Sequence, residues 1–136
     1  MQLEAAAYIF EKANGNDTAR EHEKLIKKSG LSNYNASYLE RSILAGLNLG
    51  LYDDLESRAV AYWALSKRFN PDLIPYFRNW LSVELNVCQA GPLFQVMIAL
   101  NNLEEPVFSK NRRVYSFEEI ELNVRDARRY LNKKDF

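Results

Sequence analysis

One stretch of this chain has to be buried, and it constrains the fold more than any other. Residues 73–103 read LIPYFRNWLSVELNVCQAGPLFQVMIALNNL and contain only two charged side chains, Arg78 and Glu84, although 26% of the whole chain is charged. A segment this apolar is stable in water only when other parts of the chain cover it. The pair Gly91-Pro92 interrupts its helical pattern, which predicts a central helical hairpin.

Apolar residues recur at helical spacing along the rest of the chain, and turn residues bound each run. The predicted helices cover 2–13, 18–29, 36–50, 53–69, 75–88, 92–102 and 117–131. Because consecutive helices are joined by short turns, we predict an all-α fold of six or seven helices stacked as antiparallel helical hairpins. The 73–103 stretch is predicted to be the middle layer, with 36–69 on one side and 117–131 on the other.

Local signals give finer expectations for these helices. Four capping boxes are predicted, at Thr18–Glu21, Ser37–Glu40, Asp53–Glu56 and Ser116–Glu119. In the last helix, one stripe predicts the core face, formed by Phe117, Ile120, Val124, Ala127 and Leu131. Cys88 lies inside the apolar stretch, so we expect it to be a core residue.

Two segments have sequence patterns that are also compatible with β-strands. Residues 83–87 alternate between apolar and polar side chains, but they also continue a helical stripe, so we expect a helix there. Val107-Phe108 and Val114-Tyr115 flank a polar run, which is typical of a short β-hairpin near 107–115 or of an ordered loop. A lone hairpin is marginal unless it packs against other elements.

Part of the chain resembles a known repeat. Two predicted helix starts lie about 35 residues apart, close to the length of a helix–turn–helix repeat. The turn at 50–55, GLYDDL, with Ala59 and Pro71 after it, resembles the turn of a tetratricopeptide repeat. The resemblance implies an antiparallel helix pair. Leu55 and Tyr62 stand where that family usually has alanine, so we expect a compact bundle more than a repeat array.

Length and charge set broad limits on function. The 136 residues fit a single domain spanning 1–136, and 18 basic side chains balance 18 acidic ones. Without net charge, the chain exerts no long-range attraction on nucleic acid or anionic membrane. The start MQLEAAAYIFEKANG lacks the basic residues of a signal peptide, and no apolar run reads as a membrane span. With one cysteine, a cytoplasmic protein that does not bind membranes is expected.

The chain shows no arrangement of residues typical of catalysis. His22 is the only histidine and Cys88 the only cysteine, so the histidine clusters and cysteine pairs typical of metal sites are absent. The sequence neighbours of Cys88 include no histidine or basic residue that would activate its thiol. Glycine-rich phosphate loops and nucleophile elbows are absent from the sequence. We therefore expect no enzymatic activity, no metal and no cofactor.

Two groups of residues are candidates for partner binding. The first is aromatic, since helices of this composition cannot turn every large ring inward, and exposed Tyr and Trp are common interface anchors. Its members are Trp63, Tyr76 and Trp80. The second is basic and lies near the C-terminus, where it could meet an acidic protein or phosphates. Its members are Arg112, Arg113, Arg125, Arg129 and Lys133. Glu121 lies four residues before Arg125 and is its predicted ion-pair partner.

These observations favour a non-catalytic protein–protein interaction module. Small neutral proteins of this kind include immunity proteins, antitoxins and inhibitors that neutralise a partner, by analogy of size and composition. The alternative is a nucleic-acid-associated regulator that uses the basic residues Arg112, Arg113, Arg125 and Arg129 on or near the last helix. An exposed aromatic face would equally suit self-association into a homo-oligomer.

Overall fold

The computed structural model describes residues 1–133, which form seven α-helices and one 3₁₀ turn. The helices are α1 (Leu3–Ala13), α2 (Arg20–Ser29), α3 (Ala36–Asn48), α4 (Leu55–Ser66), α5 (Ile74–Val87), α6 (Ala90–Asn102) and α7 (Ile120–Leu131). The 3₁₀ turn Pro71–Leu73 leads directly into α5. The predicted all-α fold is confirmed, and residues 83–87 are helical as expected.

The predicted hairpins pair as neighbours, and the apolar stretch lies between other helices. Helix α1 packs against α2, α3 against α4, and α5 against α6, while the most extensive contact joins α4 to α6. Helix α7 contacts both α5 and α6 on another side. The α5–α6 pair therefore lies between α4 and α7. Helix α3 makes no such contact with this pair, because it packs on α1 and α4 one layer further out.

Small side chains allow the central helices to approach closely. Ala61 and Ala64 of α4, Ala99 of α6 and a run of three alanines at 5–7 in α1 are all fully buried. Larger side chains such as Leu93 fill the space between them. Each fully buried aliphatic side chain of this size contributes about 1.5–3 kcal/mol to folding. The apolar stretch is covered mainly by these helices.

The β-hairpin predicted near 107–115 is wrong: among residues 1–133 there is no strand. The segment is instead an ordered loop whose backbone is bonded to side chains of α7. Asp126 accepts a hydrogen bond from the Ser109 amide at 3.0 Å, and Arg129 donates to the carbonyl of Val107 at 3.2 Å. Asn123 donates to the Ser116 carbonyl at 3.0 Å. These bonds satisfy backbone groups that a β-ladder would otherwise pair.

The predicted core stripe of α7 is only partly right. Phe117 precedes the helix and is 52% exposed, and Val124 is only partly buried. The face turned inward carries instead Asn123, Asp126, Ala127 and Tyr130, of which Ala127 alone was predicted. Polar side chains can be buried here because the 107–115 loop and neighbouring arginines supply their hydrogen bonds. The spacing of apolar residues along α7 does not indicate hydrogen-bond partners that come from other parts of the chain.

Helix ends differ from the predicted capping boxes. Asp54, and not Asp53, caps α4 by accepting from the Ser57 amide at 2.8 Å, and Asn35 caps α3. Neither α2 nor α7 has a side-chain cap at its N-terminus. Each observed cap lies just before the first helical residue, where its oxygen reaches the free amides.

The expected burial of Cys88 is also wrong. Its thiol is exposed, and the residue ends α5 in the left-handed conformation with φ 57°. Its amide donates to the Glu84 carbonyl at 2.8 Å and so closes the last turn. Helix α6 then begins at Ala90, with Pro92 in its first turn, where no amide donor is needed. The chain therefore breaks a few residues before Gly91-Pro92, and Cys88 lies in the resulting surface turn.

Candidate partner-binding surfaces

The exposed side of α5 carries no charged residue. Its exposed residues, which we call the neutral face, are Pro75, Tyr76, Asn79, Ser82, Val83, Asn86 and Val87. Tyr76, Val83 and Val87 are 44–47% exposed and lie at spacings of seven and four, which places them along one side of the helix. The exposed but uncharged Cys88 and Gln89 continue this surface beyond the helix end.

The face is neutral because both charged residues of α5 are bound elsewhere. Glu84 is fully buried and accepts two hydrogen bonds from Arg58 of α4, at 2.6 and 3.0 Å. The Tyr62 hydroxyl donates a third, at 2.6 Å. Burial, together with the hydrogen bond to the Glu84 carboxylate, raises the pKa of Tyr62 far above its ordinary value. The carboxylate of α5 therefore points into the protein and fixes α5 against α4.

Arg78 is bound on another side of α5. Its guanidinium donates to Glu105 at 2.6 Å and to the Tyr130 hydroxyl of α7 at 2.9 Å, and that hydroxyl donates to Glu105 at 2.5 Å. Burial and the bond to Glu105 raise the pKa of Tyr130 to about 12. Burial alone would raise the pKa of Glu105, but the bonds from Tyr130 and Arg78 lower it overall. This cluster joins α5, α7 and the loop between α6 and α7.

A neutral surface of this kind resembles the core of a protein interface. Designed soluble surfaces are about 25–35% charged, whereas the buried cores of interfaces are depleted in charge and enriched in aromatic residues. The neutral face combines one half-exposed tyrosine, two valines and two asparagine amides that can donate and accept hydrogen bonds. Such a face can lose its water without leaving a charge unpaired.

The three aromatic candidates lie in different environments. Tyr76 lies on the neutral face. Trp80 is only 6% exposed and packs against the rings of Tyr62 and Phe77, at centroid distances of 5.6 and 5.9 Å, so its surface is not available to a partner. Trp63 is partly buried, with Lys67 lying over its ring. Of the three, Tyr76 alone belongs to the neutral face.

Arg112, a candidate for partner binding, is used inside the fold. Its side chain is only 3% exposed. It donates to Asn123 at 2.8 Å and to Asp126 at 3.2 Å, both on α7. Its guanidinium also lies over the rings of Phe108 and Tyr115, at 5.4 Å from each. The residue holds the 107–115 loop on α7 and is not a surface contact.

The other four basic candidates do not form one continuous patch. Arg129 is 42% exposed and is tied to the Pro106 and Val107 carbonyls. Arg113, Arg125 and Lys133 are exposed, and none of them forms an ion pair with another residue in the range 1–133.

The ion pair predicted between Glu121 and Arg125 is therefore absent from the part of the chain that the structure describes. Arg113 and Arg125 do line one depression, of about 340 Å³, together with the buried Arg112.

The valines and asparagines of the neutral face were not among the predicted residues. The sequence did contain a signal for this face. Arg78 and Glu84 are the only charged residues between 73 and 103, and on a helix both point in a different direction from Val83. Finding the face required knowing that α5 has an uncovered side, and the high hydropathy of the stretch indicated the opposite. Its exposure is a result of tertiary packing.

The described residues show no arrangement suited to metal binding, and none of their helices is long and apolar enough to cross a membrane. His22 is partly buried and stacks on Tyr8, with ring centroids 3.6 Å apart. Comparisons of the chain with protein-family models, with curated proteins and with solved structures found no match.

Proposed function

We propose that the protein is a non-catalytic protein–protein interaction module that binds its partner through the neutral face of α5. The supporting observation is that seven exposed residues on one helix include no charge, in a chain that is 26% charged. Tyr76 is the aromatic anchor, and Val83 and Val87 provide apolar area beside it. Anchors of this kind account for most of the binding free energy at interfaces.

The way in which α5 is held supports this proposal. Glu84 binds Arg58 of α4 on one side, and Arg78 binds Tyr130 of α7 on another, so side chains fix α5 to two other helices. Because α5 is already held in place, little of its backbone has to become ordered when a partner binds. Preorganisation of this kind strengthens binding, because less conformational entropy is lost.

The partner class follows from charge. A charge-free helix face suits a partner surface that is also apolar or neutral, whereas nucleic acid requires cations. Arg112 is buried and Arg129 binds carbonyls, so two of the four arginines of the nucleic-acid alternative have roles inside the fold. Within the protein-binding class, we propose an inhibitory or neutralising role like that of immunity proteins and antitoxins, by analogy of size and neutrality.

The exposed thiol of Cys88 supports a location in a reducing cellular compartment. Cys88 is an exposed free thiol next to the neutral face, and such thiols persist in the cytoplasm, where glutathione and thioredoxin keep them reduced. We therefore propose a cytoplasmic protein. Measuring the fraction of Cys88 that is blocked by a rapid thiol reagent in intact cells tests this, since a secreted chain would carry it oxidised.

The proposed function is tested by charge substitution on the neutral face. Affinity capture from native lysate is compared between the wild type, V83E/V87E and the control L49E/L51E. Leu49 and Leu51 are 74% and 70% exposed in the turn between α3 and α4, so the control adds the same charges elsewhere. Each recovered protein is then purified and its affinity measured directly.

We expect one specific partner whose affinity falls by a factor of about 100 for V83E/V87E and stays unchanged for L49E/L51E, since a buried unpaired carboxylate costs several kcal/mol. Equal affinity of both variants for every recovered protein would contradict the proposal. If the partner is a second copy of this chain, sedimentation shows a concentration-dependent dimer that V83E/V87E abolishes.

A further inference from the structure

A depression with an excess of arginine lies where the 107–115 loop meets the first turns of α7. Its volume is about 340 Å³, at the small end of the range for small-molecule sites. The polar residues that line it are Ser109, Asn111, Arg112, Arg113, Glu119 and Arg125. It shares no residue with the neutral face.

The three guanidinium groups differ in how they are bound. Arg112 is held rigidly, with its terminal nitrogens on Asn123, Asp126 and the Val114 carbonyl. Its Nε is buried and has no hydrogen-bond acceptor among the described residues. Arg113 and Arg125 are exposed and have no ion-pair partner in the range 1–133.

The charge balance favours an anion. Asp126 compensates Arg112, and the exposed carboxylate of Glu119 opposes one of the two remaining cations. One positive charge is therefore left without compensation in the depression. The side chains of Asn111 and Ser109 add neutral hydrogen-bond donors to the same wall.

We propose that this depression binds a phosphate monoester group in its dianionic form. Guanidinium groups bind phosphate oxygens in a two-pronged, charge-assisted geometry, and Arg113 and Arg125 are the two that are free to do so. Arg112 forms a fixed cationic wall and keeps the loop that carries Arg113 in place on α7. A dianion that engages both free arginines gains more attraction than a monoanion, and Glu119 opposes the binding of either.

The test is a nuclear magnetic resonance titration of the whole chain with inorganic phosphate and with phosphoserine, against sodium chloride at equal ionic strength. The backbone amides of residues 109–113 and the Nε–H signals of the arginines report binding. The variants are R113A/R125A and the control R128A, which removes an exposed arginine of α7 outside the depression. Circular dichroism verifies that each variant is folded.

We expect saturable shifts confined to the depression with either phosphate source and none with chloride. R113A/R125A should weaken binding at least about tenfold, R128A should leave it unchanged, and the affinity for phosphoserine should fall below about pH 6 as its dianion is protonated. Tighter binding of phosphoserine than of inorganic phosphate supports a phosphate monoester as the ligand, and tighter binding of inorganic phosphate would overturn it. Shifts that never saturate, or that persist in R113A/R125A, would overturn the proposal. So would tighter binding of a phosphodiester oligonucleotide.

Discussion

Arg58 binds both carboxylate oxygens of Glu84, with Nε 2.6 Å from Oε2 and Nη2 3.0 Å from Oε1, although Glu84 is fully buried. The two residues lie on α4 and α5, which also meet where the ring of Tyr62 packs against that of Trp80. The pair orients α5 so that its single carboxylate points inward. The uncharged outer side of α5, and with it the proposed function, depends on this relationship.

Removing Arg58 should destabilise the protein strongly. In R58M the Glu84 carboxylate stays buried with only the Tyr62 hydroxyl as a donor, and leaving a buried charge without its partner costs about 3–5 kcal/mol. The free energy of unfolding from urea denaturation measures this loss. The triple variant R58M/Y62F/E84L removes all three polar groups together and should recover most of the loss. An R58M protein within about 1 kcal/mol of the wild type would show that the pair is not important.

Arg112 should be needed for the order of the loop it holds. R112A leaves Asp126, whose side chain is only 2% exposed, without its closest cation, and the expected loss is again about 3–5 kcal/mol. Limited proteolysis should cut between residues 104 and 119 in R112A before any other site. The matched control R113A changes an exposed arginine and should alter stability by no more than about 0.5 kcal/mol. Equal protease resistance of both variants would refute the structural role of Arg112.

Tyr62 and Tyr130 should make the protein sensitive to alkaline pH. Both pKa values are raised in the folded state, that of Tyr130 to about 12, from an ordinary value of 10.0. The protonated phenol is therefore favoured by folding, so the associated stability is complete below about pH 10 and is lost as pH rises toward 12.

A tyrosinate absorbance titration with parallel circular dichroism measures this effect. Of the eight tyrosines, Tyr62 and Tyr130 should ionise last, together with the loss of helix. The control variant Y34F, which removes the hydroxyl of a 45% exposed residue, should keep the late step. Ionisation of all eight at ordinary pKa values in a folded protein would contradict the two clusters.

Cys88 should react in the native state. Its thiol is exposed at the end of α5, where its nearest polar contact is the Leu85 carbonyl at 2.7 Å. An aromatic disulfide reagent should therefore modify one thiol per chain in native buffer, at a rate close to that of a free thiol. The wild type in denaturant is the reference. Modification that occurs only after unfolding would restore the sequence-based expectation that Cys88 is buried.

Local patterns were enough to predict the helices, and long-range polar contacts were not. The charge-poor stretch, the break predicted at Gly91-Pro92 and the turn at 50–55 predicted the α5–α6 and α3–α4 pairs. The polar inner face of α7 could not be predicted, because Asn123 and Asp126 are buried only with Arg112, which comes from a preceding loop. A pattern of hydropathy assigns such residues to the surface.

The same dependence on long-range packing explains which residues of the candidate surface could be predicted from the sequence. Tyr76 was among the predicted residues because some of the aromatic rings had to be exposed, but composition did not distinguish it from the buried Trp80. Val83 and Val87 were not, because an apolar residue in an apolar stretch is expected to be buried. Arg112 was assigned to the surface because a charged residue is expected to be exposed. Its partners on α7 lie 11 and 14 residues away in the sequence, so local patterns did not indicate them. Which faces remain uncovered is decided by packing between helices.

The most direct test of the account is photo-crosslinking from the neutral face. A photoreactive phenylalanine analogue replaces Asn79, which is exposed at the centre of that face, or in the control Arg41, which is exposed on α3. After irradiation in native lysate, the account predicts a discrete adduct from position 79 that V83E/V87E removes, and none of the same mass from position 41. Absence of an adduct from position 79, or an identical one from both positions, would contradict the claim that the neutral face of α5 is the binding surface.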